Sequence, residues 1–186
     1  FGAHPLENPN YGKIINKKHF DRICALIDNN KVISGGHTNS ETLRIEPTVM
    51  DHVTYDDPVM QEEIFGPIMP ILTYDSLDKL IHKINSMPHP LALYFFTRNK
   101  TAARKVTSQC QFGSGCINDT VIHLATSEMP FGGFGESGMG GYHGKEGFYT
   151  FSHSKSIVDK KTWLDLPMRY QPYTKFNNKL LRFFLR

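Results

Sequence analysis

Chemistry concentrates in one short run of this sequence, Gln61-Glu62-Glu63-Ile64-Phe65-Gly66-Pro67. A carboxylate accepts two hydrogen bonds from a vicinal diol, and a flat ring covers an adjoining heterocycle. Paired acids beside an aromatic and a Gly-Pro turn are therefore suited to a polyol. The same pattern describes a solvated Glu pair ahead of a buried Phe, and on pattern alone that plainer reading is the stronger. A second run, Gly133-Phe134-Gly135-Glu136-Ser137-Gly138, matches G-x-G-x-x-G. Binding of dinucleotide phosphates there needs a strand before the turn and a helix after it, so that helix amides face the pyrophosphate. Met129-Pro130 precedes and Met139-Gly140-Gly141 follows, and neither flank fits. The run reads instead as a tightly packed loop. Ser137 is not a nucleophile elbow, because Met139 stands where that motif needs Gly.

The remaining reactive residues are dispersed. Cys24, Cys110 and Cys116 are odd in number and lack metal-ligand spacing, which argues against a disulfide framework and for a reducing, cytoplasmic setting. None of the nine His is paired at the spacing of a zinc helix, so no metal is expected. The net charge of +3 is unevenly placed: residues 159–186 carry seven Lys or Arg against two Asp. A basic tail on a near-neutral body does not make a nucleic-acid-binding face. No run approaches the ~20 apolar residues that span a bilayer, and the first dozen residues lack the pattern of a signal peptide. Phe1, where an initiating Met is missing, reads as a cut rather than a start.

The elements that would position these residues alternate. Lys17 to Asn29 reads as a helix with Phe20, Ile23, Cys24 and Ile27 on one face. Lys31 to Ser34 is a short strand, Arg44 to Met50 is extended around Pro47, and Pro67 to Tyr74 is strand-like. Asp75 or Ser76 caps a helix that runs to Ser86. Leu91 to Thr97 is nearly all apolar, as in a strand covered on both faces. A helix from Asn99 to Cys110 and a strand from Gly115 to Asp119 follow. This order predicts an α/β fold with a parallel open sheet and helices on both faces. Phe148 to Val158 alternates weakly and reads as a strand. Lys179 to Arg186 reads as a basic amphipathic helix.

Val59-Met60-Gln61-Glu62-Glu63-Ile64-Phe65-Gly66-Pro67 resembles the E-E-I-F-G-P signature of the aldehyde dehydrogenase superfamily. Further matches follow in the expected order: Pro90 to Tyr94, Gly115 to Asp119, Met129 to Gly133, Ser137 to Gly140, Tyr142 to Lys145 and Thr150 to His153. The P-L-A-L-Y, S-G-M-G and Y-H-G-K forms resemble class 3, the branch that includes fatty aldehyde dehydrogenases. The resemblance runs from about Tyr11 to Lys155 and is highly specific. The tail after Lys160 does not resemble the ends of mammalian members.

The resemblance implies a role for each matched position. Glu63 would hold the nicotinamide ribose hydroxyls of NAD or NADP, and Phe65 would pack against that region. Asn118 would support the site. Val121, Leu124 and Ala125 would line the aldehyde channel, with Phe131 and His143 as further wall residues; core packing remains an equal reading for Val121 and Leu124. Residues 1–146 would be the C-terminal part of a catalytic domain, 147–158 an oligomerisation strand of a homodimer and 159–186 a basic tail. That tail would dock on a subunit or, less favoured, touch a membrane surface. The family's nucleophile lies in G-Q-x-C and its general base in E-L-G-G, and neither motif occurs here. Without them, and without a Rossmann-type cofactor domain, the chain should be inert alone. Its remaining role would then be as a fragment of the enzyme or as a non-catalytic oligomerisation module.

Overall fold

The computed structural model describes residues 1–185, with the side chain of Pro167 also outside the description. The described chain is α/β and separates into two units, Phe1–Met87 with Lys105–Cys110, and Pro88–Arg104 with the residues from Gln111 onward.

In the first unit, α1 (Lys17–Ala25) starts at Asn16, whose side chain accepts from the His19 amide at 2.9 Å and satisfies an end group of the helix. Its apolar face buries Phe20 and Ile23. β1 (Val32–Ser34), β4 (Thr48–Met50) and β5 (Ile68–Pro70) form one sheet, with β1 antiparallel and β5 parallel to β4. β2 (Thr38–Asn39) and β3 (Arg44–Ile45) form a separate antiparallel pair. Phe20, Ile23, Ile45, Met50, Val53, Val59 and Ile68 make the core. Such burial is worth about 25 cal/mol per Å² of apolar surface. α2 (Leu77–Asn85) follows Ser76, and the part of α3 (Lys100–Gln109) from Lys105 onward belongs to this unit and carries buried Val106.

In the second unit, β6 (Ala92–Phe95) and β7 (Ser114–Ile117) pair in parallel, with Tyr94 opposite Cys116. α4 (Gly144–Thr150) follows an irregular Gly-rich stretch, and α5 (Lys175–Phe184) is capped by Thr174.

The predicted alternation of strands and helices is present, and so are its parallel pairings. The strands, however, form three short sheets, β1-β4-β5, β2-β3 and β6-β7, and the expected extended run Arg44–Met50 is split at Pro47 into β3 and β4. The strand expected over Phe148–Val158 is not formed: Phe148 to Thr150 close α4, and no strand follows in the described residues. An isolated apolar segment has no neighbouring strand to satisfy its backbone, so one turn of local helix bonds it instead. Among the described residues no helix is long and apolar enough to cross a membrane. Arg186, counted above with the basic tail, lies outside the described residues.

Candidate functional site

The Glu62-Glu63 loop is held at both ends. Upstream, Val59 is buried in a 3-10 turn, and the Gln61 side chain donates to the Tyr55 carbonyl at 2.7 Å. Downstream, the Pro67 carbonyl accepts from the Thr48 amide at 2.8 Å as β5 begins. Between them Arg22, on the polar face of α1, donates to the Glu62 carboxylate at 2.7 Å, to the Glu63 carbonyl at 3.4 Å and to the Ile64 carbonyl at 2.7 Å. Gly66 lies flat on Ile23, where a Cβ would stand 2.8 Å from the Ile23 Cδ1. Helix and loop are thus locked together by three hydrogen bonds and a close backbone approach.

This clamp divides the acid pair. Glu62 is spent on Arg22, while the Glu63 carboxylate is exposed and has no ion pair or hydrogen bond among the described residues. Phe65 is 83% exposed and sits at φ 49°, a left-handed backbone that a bulky residue seldom adopts. It is not the buried Phe of the plainer reading. Together with Lys13, Ile14, Ile15, His19 and Arg22 it lines an open pocket of about 390 Å³. That volume falls within the usual range for small-molecule sites. The Glu63 carboxylate, two residues from Phe65 but not part of the pocket's lining, is free to accept from a diol, and Lys13 and His19 bring basic groups to the pocket.

The other expected residues all belong to the second unit. Asn118 ends β7 at φ 59°. Its amide donates to the Phe95 carbonyl, while its side chain accepts from the Thr97 amide at 2.7 Å and donates to the Thr97 carbonyl at 2.9 Å. Val121 follows at φ 63° and opens a 3-10 turn over Ile122–Leu124. Val121 and Ala125 are exposed in this chain and Leu124 is half-buried. Phe131 and His143 are brought together with ring centroids 6.3 Å apart, and a two-way backbone bridge joins Phe131 to Tyr142. His143 is at φ 86°, and its Nδ1 is buried without a hydrogen-bond partner. Four expected site residues, Phe65, Asn118, Val121 and His143, therefore occupy positive φ. Such conformations persist only where the surroundings enforce them.

Three features are not marked by the sequence pattern. Arg22 is one, although its place one turn after His19 on the polar side of α1 is a usable signal. His123 is buried and bonds Ser114 Oγ through Nε2 at 3.0 Å and Cys116 Sγ through Nδ1 at 3.2 Å. Its only signal is a lone His in an apolar run. The third is His89, whose Nδ1 meets Glu136 at 2.9 Å and whose Nε2 meets Gln111 at 2.6 Å. With His89 and Glu136 47 positions apart, no local pattern marks that pair. Glu136 holds the Gly-rich loop to His89, and Ser137 Oγ bonds both backbone groups of Phe134. The loop packs tightly on itself at Gly133, where a Cβ would meet the Ser137 carbonyl oxygen at 2.4 Å, so only Gly fits. Among the described residues no group of three or more potential ligands gathers for a metal. Burial pushes the Cys110 thiol up, and burial is also the main cause of the raised Cys24.

The model of the aldehyde dehydrogenase family matches residues 1–157. The 4,4'-diaponeurosporen-aldehyde dehydrogenase of Staphylococcus aureus is 47% identical over 175 residues, which is 93% of this chain and 38% of that protein. The dimeric NADP-preferring aldehyde dehydrogenase of Rattus norvegicus is 44% identical over 160 residues, 86% of this chain and 35% of its own length. In three dimensions the chain is similar to the substrate-bound state of Staphylococcus aureus AldH, with a TM-score of 0.86 and 46% identity over 97% of this chain and 40% of that one. The chain thus spans well under half the length of these relatives.

Proposed function

The chain belongs to the aldehyde dehydrogenase family, and from that premise we propose that it is the C-terminal part of a class 3 enzyme using NAD or NADP. The whole enzyme oxidises an aldehyde to a carboxylate through a cysteine thiohemiacetal, with the nucleophile, the general base and the Rossmann-type domain supplied outside this segment. The observation that carries the reading is the division of labour between Glu62 and Glu63. Arg22 fixes the loop through Glu62, which leaves the Glu63 carboxylate free beside the exposed Phe65 ring.

Within that enzyme, Glu63 accepts hydrogen bonds from the ribose hydroxyls and Phe65 limits the tilt of the adjoining ring. A bound nicotinamide dinucleotide supplies the hydride acceptor. Val121, Leu124, Ala125, Phe131 and His143 form the aldehyde wall, and Asn118 fixes the strand end from which that wall departs. The cytoplasm is the proposed setting, supported by three free cysteines. A homodimer is part of the proposal, supported by the dimeric rat relative and by the exposed Phe151, Ile157 and Val158. Those three residues also favour the second reading, in which the segment serves assembly alone.

The test is Glu63→Gln in the full-length protein. The amide keeps the shape, loses the charge and turns a donor toward a hydroxyl. A charge-assisted bond to a diol is worth about 1.5–3 kcal/mol, on the order of 10–100-fold in single-turnover hydride transfer, with aldehyde affinity little changed. Glu62→Gln should cost far less, as an exposed pair contributes about 0–1 kcal/mol. Unchanged hydride transfer in Glu63→Gln would leave Glu63 a surface residue and remove this reading.

A further inference from the structure

We infer that His123 is the positioning residue that sets the shape of the aldehyde wall, an inference that rests on the proposed role of the Val121–Ala125 turn. Val121 is β-branched yet sits at φ 63°, and the Ile122 amide folds back onto the Thr120 carbonyl at 2.6 Å. A β-branched residue does not hold such a backbone by itself. The turn's own bonds, Leu124 amide to Val121 carbonyl at 2.8 Å and Ala125 amide to Ile122 carbonyl at 3.0 Å, are local and leave the turn free to move as a whole.

His123 removes that freedom. It is the turn's one buried residue, 6% exposed, while Val121 and Ile122 before it are exposed. Ser114 and Cys116 are two apart on β7 and so share a face of the strand. They meet the two ring nitrogens, at 3.0 and 3.2 Å. Whichever nitrogen carries the proton, the hydroxyl and the thiol can each supply the complementary donor or acceptor. The ring plane is therefore fixed at two points against β7. Tyr94 and Phe131 flank it, with centroids 5.8 Å away on each. Because Phe131 also packs against His143, His123 is the residue through which β7, the turn and the far wall share one set of contacts. It does not itself present to the aldehyde side. Its effect passes through Val121 two residues before it and Leu124 immediately after it.

A positioning role predicts altered selectivity rather than lost chemistry. In the full-length protein, His123→Phe keeps the ring packing and loses both hydrogen bonds. The expected result is a shift of about tenfold in the ratio of kcat/KM for octanal over that for benzaldehyde, carried by KM, with kcat and the KM for NAD(P) within about twofold. His123→Gln, which retains one polar contact, should recover part of the shift. If the Phe variant does not fold, the Ser114→Ala and Cys116→Ala variants test the same pegs from the strand side and should move the ratio in the same direction. Val121→Ala separates the two layers of argument. A ratio that moves in Val121→Ala but not in the His123, Ser114 or Cys116 variants overturns the inference and leaves the wall reading intact. A ratio unmoved in all of them, Val121→Ala included, overturns the wall reading and the inference with it.

Discussion

The side chain of Asn118 pairs with both backbone groups of Thr97, accepting from its amide at 2.7 Å and donating to its carbonyl at 2.9 Å. A side chain thereby continues the β6–β7 ladder one step past the point where the main chain has turned to φ 59° and left the sheet. Asn is suited to both tasks: its short amide imitates a peptide group, and it tolerates the left-handed region better than other non-Gly residues.

Asn118→Ala should therefore destabilise the chain by about 1–3 kcal/mol, the sum of two exposed hydrogen bonds and the left-handed penalty. Asn118→Gly should lose less, because Gly keeps the backbone conformation. Urea unfolding of the three proteins checks the order. Equal stability of the Ala and wild-type chains would show that the ladder does not need the clamp.

The His89–Glu136 pair predicts a defined pH window for the Gly-rich loop. Hydrogen bonds to Glu136 and then Gln111 raise His89 above its usual 6.5, so its contribution is complete below 6.5 and fades as pH rises through the raised value. The His89 hydrogen bond is the main cause that holds the Glu136 carboxyl at about 2 instead of 4.5, so its contribution is complete above 4.5 and fades as pH falls toward 2. Both are present between pH 4.5 and 6.5. Protection of the Gly133–Gly138 amides, taken relative to their intrinsic exchange rate at each pH, should be greatest there. An NMR titration of His89 should show its pKa falling in Glu136→Gln, and an unchanged titration would dismiss the pair.

The isolated chain should form no NAD(P)H from octanal or benzaldehyde. Cys110 is buried, its thiol is pushed up by that burial, and a nucleophile needs the opposite. Turnover that disappeared in Cys110→Ala would overturn this expectation.

The tail carries the last prediction. α5 leaves Phe176, Phe183 and Phe184 exposed, as is Leu185 just after it, and Leu180 and Leu181 half-buried, with Lys175, Lys179 and Arg182 along the same helix. So few apolar side chains would contribute only a few kcal/mol at ~25 cal/mol per Å², enough for reversible contact. Docking on a second subunit is the favoured outcome. A chain ending at Tyr173, which keeps Phe151, Ile157 and Val158, should then dimerise more weakly than the whole chain, read as a shift toward monomer in sedimentation over a dilution series. Pelleting with anionic vesicles that depends on the tail at low salt would point to a membrane surface instead.

Much of the local structure is legible in the order of the residues. Helical spacing of Phe20, Ile23 and Cys24 locates α1, Leu77, Leu80, Ile81 and Ile84 locate α2 (Ser76 stands at its N-cap position, but its side chain makes no cap hydrogen bond), and the apolar run around Ala92–Phe95 locates β6. These signals are local: side-chain periodicity and end groups act within one or two turns of chain. The acid pair and Phe65 are equally visible as residue types. Their assignment is not, because which Glu is free depends on Arg22, 40 residues away in sequence from Glu62. The strand expected at Phe148–Val158 fails for a related reason, since alternation describes what a strand would bury but cannot provide the neighbour it must pair with. His123 shows the limit most clearly. The sequence sets its identity among apolar neighbours, but its function as a peg exists only where β7 brings Ser114 and Cys116 onto one face within hydrogen-bond reach of both ring nitrogens. Hydrogen bonds extend about 3 Å and demand alignment, so they are decided by the packed chain and not by the order of its residues.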